Sequence, residues 1–354
     1  MVIQRMGHRC GRIFISALLF SLLGLDRICS ADPPITALAF SLKQRQLMAG
    51  SQKGMVVLEW PGLKQVRLKD CELESIHDIS VSPDEKHVLV AGGSPGSSGV
   101  VQMRSWPELE LEQSWNEHQD VVYKVAWRAD GQEWVSASWD GFCKVYSWNA
   151  KASHITMTSH SGPVFDATYV LDGSVATAGG DGTIVVWKPG SGETIKVLRQ
   201  HTGTVHALAL QPVREGNQER LLASASEDRT VRFWQPNVGR LVRFHRFPST
   251  PGSIAWTRDG RSLIVGCDDG LVVQLDPVSL TSGIVSQRDS RVLSIVADLG
   301  DNLIAVSTGS DVRAIERPEW AVTVLPSTHA TLAWYLGAFR PKRPKISCWL
   351  SPRF

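Results

Sequence analysis

The sequence predicts an all-β fold of seven repeated sheets arranged as a ring, a seven-bladed β-propeller. Three observations carry this expectation. One phrase recurs along the chain: an apolar run, a turn often holding Asp-Gly, a second apolar run, another tight turn and a third run. The second-turn aspartates stand at 140, 181, 228 and 269, at intervals of 41, 47 and 41 residues, room for four short strands with their turns. The composition also suits a turn-rich β chain, with 30 glycines and 13 tryptophans in 354 residues.

The clearest copy runs from Val164 through Asp172-Gly173 and Asp181-Gly182 to Trp187. The same phrase runs from Val122 to Tyr146, from Val205 to Trp234 and from Gly252 to Leu275, with fainter copies opening near Ile76, Val292 and Ile35. Asp-Gly supplies the positive φ that tight hairpins need. Alternating apolar residues between the turns bury one face of each strand, and a single small sheet cannot bury both faces, whereas a ring of them can. The first two units close their third run differently, on Trp60-Pro61 and Trp106-Pro107, a second sign of internal duplication.

Three successive units carry a set of four residues: His118, Ser136, Asp140 and Tyr146; His160, Thr177, Asp181 and Trp187; His201, Ser224, Asp228 and Trp234. On these residues the chain resembles the WD40-repeat family. The resemblance implies that each set is a structural hydrogen-bond tetrad within a blade, with no chemistry of its own. The glycine that precedes the histidine in the family is absent, for Glu117, Ser159 and Gln200 stand there. The other four units lack the full set: Leu275 replaces tryptophan in the sixth, and Lys53 stands where the first would have its aspartate. Family rings usually close on a shared last sheet. Once residues 1–31 are removed as an expected signal peptide, the chain would begin almost directly with its first inner strand, 35–40, and 320–325 reads as the end of the seventh blade. An alternative makes 327–339, with His329 and Trp334, a truncated eighth repeat.

The ends differ from the body. Arg5, Arg9 and Arg12 precede an apolar run of 13 residues, and small residues lead to Ala31. The expectation is a signal peptide over 1–31, a propeller over 32–325 and a basic, aromatic-containing tail over 326–354. The protein is then exported, periplasmic or extracellular, with an uncleaved membrane anchor as the alternative. The body holds 28 basic and 34 acidic residues, which leaves no footprint for nucleic acid. The tail has five basic residues and no acid, so contact with an anionic surface is an expectation for it. Cys71, Cys143, Cys267 and Cys348 form no CxxC pair, and neither a metal site nor a cofactor is expected.

Gly92-Gly93-Ser94-Pro95-Gly96 matches the G-x-S-x-G string of serine hydrolases. That chemistry requires a strand, a sharp turn and a helix, and the string sits between two expected strands, so no enzyme is expected. A protein-binding scaffold is the main functional reading, with a small-ligand or carbohydrate-binding propeller, or an enzyme using the central channel, as the alternative. The residue seven before each first-turn aspartate is His77, Tyr123, Phe165 and Gly252; alignment adds Thr36, His206 and Leu293. The residue before each second-turn aspartate is Trp139, Gly180, Glu227 and Asp268. The family resemblance puts both positions at the channel mouth, on the face that contacts partners. His77, Tyr123, Trp139, Phe165, His206, Glu227 and Asp268 are therefore the expected partner-binding residues, and aromatics of this kind are enriched in interface hot spots.

Overall fold

A computed structural model describes residues 32–148, 152–153, 155–170, 172–213, 220–297 and 303–316. The expected signal peptide, the basic tail, the closing strand at 320–325 and the eighth repeat lie outside the described residues. Every regular element described is a strand. Seven antiparallel sheets follow one another along the chain, six of four strands and the last of three described strands. Their inner strands are Ala37–Ser41, Ser75–Val81, Val122–Trp127, Val164–Tyr169, Val205–Leu210, Pro251–Trp256 and Val292–Ala297. Each inner strand packs against the next, and the last against the first. This is the seven-bladed ring.

Packing between neighbouring sheets supplies the core. Val135, Val145 and Met157 of blade three meet Val164, Ala167, Val175 and Trp187 of blade four. Phe233 and Val231 of blade five meet Val265, Val273 and Leu275 of blade six. The ring closes in the same way: Leu38, Leu47 and Trp60 of blade one pack on Ala305, Val296 and Val312 of blade seven. One backbone bond crosses that seam, from Ile35 N–H to the Gly309 carbonyl at 2.7 Å. Trp106 repeats the role of Trp60 one blade further on, packing on blade one and donating its indole N–H to Ser41 Oγ at 3.2 Å.

Two local features place the site. Gly141, Gly182 and Gly270 have φ of 86°, 75° and 84°, and Arg229 takes the same place in blade five at 63°, so the second turn keeps one shape with or without glycine. In blades two to seven the inner strand also carries an irregularity in register near its start, around His77, Tyr123, Phe165, His206, Gly252 and Leu293. A bulge leaves one residue out of the ladder and re-aims its side chain.

The G-x-S-x-G string lies in a hairpin. Gly92, Gly93 and Ser94 end the strand His87–Ser94, which turns straight back into Ser98–Ser105. No helix follows it. A methyl group on Gly92 would stand 1.9 Å from the Ser75 carbonyl oxygen, so close approach of the inner strand explains the glycine.

Candidate functional site

Two sets of side chains are built on blades two to six, one inside the sheets and one near the starts of the inner strands. Inside blade five, Trp234 donates its indole N–H to Ser224 Oγ at 2.8 Å, Ser224 Oγ is 2.7 Å from His201 Nε2, and His201 Nδ1 is 2.8 Å from Asp228. Blade four repeats this with Trp187, Thr177, His160 and Asp181 at 2.8, 2.8 and 3.2 Å. The aspartate only accepts, so the histidine carries its proton on Nδ1. A neutral ring then offers Nε2 to the hydroxyl proton, while the hydroxyl oxygen accepts from tryptophan. The chain needs a neutral imidazole. Burial pushes the His160 and His201 pKa values down, in keeping with that state. Burial works against the Asp228 charge, yet bonds from Thr230 and His201 hold its carboxyl down at about 2.

Blade three is shorter by one link. His118 reaches Ser136 at 2.7 Å and Asp140 at 2.8 Å. Tyr146 replaces the tryptophan opposite Trp134, stacks on it with ring centroids 5.9 Å apart, and buries its hydroxyl without a hydrogen-bond partner. Blade six has none of the chain. Val265 holds the serine position and Leu275 the tryptophan position by register, and Phe247 stands four residues before the inner strand, where blades three to five have histidine. All three are buried in one cluster. Blade two has Val90 and Arg104 at the corresponding places, with the Arg104 guanidinium bonded to Gln102 Oε1, the Leu109 carbonyl and the Cys71 carbonyl.

Near the starts of the inner strands the bulge residues meet one another. His77 and Tyr123 have ring centroids 4.7 Å apart, Tyr123 and Phe165 5.5 Å, and Phe165 and His206 5.3 Å. Trp139, 44% exposed, leans on both Tyr123 and Phe165 at 5.9 and 5.6 Å. The arc therefore spans four blades without a break. Beyond it, His206 Nε2 lies 3.5 Å from Glu227, and Asp268 pairs with Arg291 at 2.9 Å. Burial lowers the His77 and His206 pKa values, so both rings favour the neutral form.

Beneath the arc lies a charged group that sequence reasoning missed. Asp78, Lys124 and Asp166 each follow a bulge residue on three adjacent inner strands. Lys124 Nζ is 3.2 Å from Asp78, and each carboxylate also accepts a backbone N–H of the next blade: Val125 to Asp78 at 3.1 Å, and Leu208 to Asp166 at 2.7 Å. Burial raises the pKa of both aspartates, that of Asp166 to about 6, with Lys124 opposing the rise. Charged residues inside otherwise apolar inner strands were the available signal. Among the described residues no three His, Cys, Asp or Glu side chains come together as a metal site.

A ring of seven repeated sheets, three of them wired by histidine, a hydroxyl and aspartate, defines a repeat propeller suited to holding other proteins. The repeat described as "WD domain, G-beta repeat" matches residues 109–147, 152–188 and 192–235, so the three wired units are WD40 repeats. Each matched unit starts at the outer strand of one sheet and ends on the third strand of the next, so the sequence repeat stitches adjacent blades together. The chain is 24% identical over 287 residues to the periodic tryptophan protein 2 homolog of Dictyostelium discoideum, covering 67% of this chain and 30% of that protein. It is 27% identical to the U3 small nucleolar RNA-associated protein 15 homolog of Gallus gallus, over 64% and 42% of the two chains. With the nuclear distribution protein PAC1 of Arthroderma benhamiae the identity is 28%, over 68% and 53%. The matches cover from under a third to about half of these relatives' own lengths.

These relatives correct the expectation of export. Two of the names refer to the nucleolus and to nuclear distribution, and none of the three names an exported protein. The expected periplasmic or extracellular location, and the anchored alternative, do not stand. The physical reason is that a few arginines before a short apolar run form a pattern of low specificity, which assigns no compartment by itself.

Proposed function

We propose that this protein is a non-catalytic interaction scaffold that captures a protein partner on the channel-mouth face. The observation that carries the reading is the unbroken arc of His77, Tyr123, Phe165 and His206, with Trp139 exposed against it. Four rings drawn from four blades form one contiguous aromatic surface, and rigid aromatics lose little conformational entropy on binding. Glu227 and Asp268 form a polar border to it, as the rim of an interface does. WD40 propellers in general bind protein partners, which agrees with this use of the face.

The test pairs Tyr123→Ala/Trp139→Ala with a control that removes an exposed side chain elsewhere, Val278→Ala. Partners captured by the wild-type protein and the control but lost from the arc variant support the reading. Capture by the arc variant equal to wild type contradicts it.

A further inference from the structure

The outermost strand of blade five, Arg240–Arg246, is unlike the other rims. Its sequence, RLVRFHR, contains no acid and leaves Arg240, Arg243 and Arg246 exposed. On the outer strand of blade one, by contrast, Lys69 meets Glu110 at 3.0 Å and Arg67 donates to the Pro107 carbonyl. None of the three blade-five arginines has a carboxylate partner among the described residues. The surplus is local, since acids outnumber bases over 32–325.

Register sets the shape of this edge. Arg243 and Arg240 lie opposite Phe233 and Gln235 on one face, while Phe244 and Arg246 lie opposite Arg232 and Thr230 on the other. Cations therefore flank the strand on both sides. Phe244 is 53% exposed, with the Arg232 guanidinium 5.5 Å above its ring. Lys196, from the rim strand of blade four, extends beside Gly239 and lengthens the basic strip. The strand is the last in its sheet, so one row of its backbone donors and acceptors has no partner strand within the blade. An edge with arginines on both faces repels the same edge of a second copy, and it attracts an extended segment of opposite charge.

We propose that the Arg240–Arg246 edge is a docking site for an acidic, extended peptide segment of a partner, added as a fifth strand to blade five. Backbone bonds set the register, carboxylates meet Arg240, Arg243 and Arg246, and an apolar side chain covers Phe244. This site is independent of the aromatic arc.

The experiment measures binding of a fluorescein-labelled peptide of alternating glutamate and valine, about eight residues long to match one strand, to the full chain by fluorescence anisotropy. Binding is expected for this peptide and not for a lysine–valine counterpart. Arg240→Gln/Arg243→Gln/Arg246→Gln weakens it about tenfold, as the loss of three charge contacts implies. Arg243→Gln alone gives about a twofold to threefold loss on the same basis. The Tyr123→Ala/Trp139→Ala variant binds as wild type, which separates this site from the channel-mouth face. N-methylation of alternate peptide amides abolishes binding. Three results overturn the proposal: equal binding by the arginine variants with an unchanged melting temperature, equal binding of the N-methylated peptide, or displacement of the peptide by oligouridylate that itself binds tighter.

Discussion

Blades five and six sit side by side with the same four-strand sheet and opposite interiors. Blade five threads it with Trp234, Ser224, His201 and Asp228 in hydrogen-bond contact. Blade six fills the same positions with Leu275, Val265 and Phe247, all buried. Either solution leaves no buried donor or acceptor unmatched in that space, which is what makes both stable. Between these two blades tryptophan, hydroxyl and histidine are exchanged together, whereas blade three keeps histidine and serine beside Tyr146 and buries an unpaired hydroxyl.

The largest effect should come from breaking the polar chain. His201→Ala strands Ser224 and removes a partner of buried Asp228, with an expected cost of roughly 3 kcal/mol. Phe247→His should cost a similar amount in blade six, where no serine waits for it. Adding Val265→Ser and Leu275→Trp to that variant recovers part of the loss, a coupling that urea denaturation of the single and triple variants measures. Strictly additive losses would break the comparison.

The inner strands extend the contrast. Asp166 ties blade four to Leu208 of blade five, whereas the register-equivalent residues of blades five and six are Ala207 and Ser253. The Asp166 carboxyl titrates near 6 in the fold, against 3.8 for an ordinary aspartate. Between those values the folded protein holds a proton that the unfolded chain has released, so this group withdraws stability as pH rises through the window. Asp166→Asn cannot ionise, and its stability should gain on wild type by about 2 kcal/mol from pH 4 to pH 7. A constant difference across that range would show that the carboxyl does not titrate there.

Smaller still is the difference between two serines. Ser224 serves both His201 and Trp234, while Ser136 serves His118 opposite a tyrosine whose hydroxyl is unpaired. Ser224→Ala should cost about 1 kcal/mol more than Ser136→Ala, one hydrogen bond's worth. Thermal melts of the two variants sharpen the comparison; equal costs would remove the distinction between a three-link and a two-link chain.

The ring was legible because Asp140, Asp181, Asp228 and Asp269 punctuate it at near-constant spacing. In blades one, two, six and seven the hydroxyl position holds Ala49, Val90, Val265 and Val306, so only spacing betrayed those blades. The seven expected partner-binding residues could be named by counting back from the turns, and the structure brings His77, Tyr123, Trp139, Phe165 and His206 into one arc, with Glu227 against His206 and Asp268 beside Arg291. The Asp78, Lys124 and Asp166 group was not legible, since its members lie on three blades and local sequence does not reveal which inner side chains converge. Arg104 was missed for a related reason: a buried cation satisfied by carbonyls leaves no motif. The compartment was misread because the N-terminal pattern is shared by unrelated apolar runs.

The smallest effect on stability belongs to the arc, and it tests the central claim. Tyr123 is half-buried and Trp139 exposed, and neither belongs to a tetrad. Tyr123→Ala/Trp139→Ala should therefore shift the melting temperature by only a few degrees, in line with a modest loss of packing. The most direct measurement places a photo-crosslinking residue at position 139 in the full chain and identifies its adducts. Discrete protein adducts that disappear when Tyr123→Ala is added, with the melting temperature nearly unchanged, are the predicted result. Adducts indifferent to Tyr123→Ala, or the same adducts from a crosslinker at the exposed position 278, would contradict the arc as the capture surface.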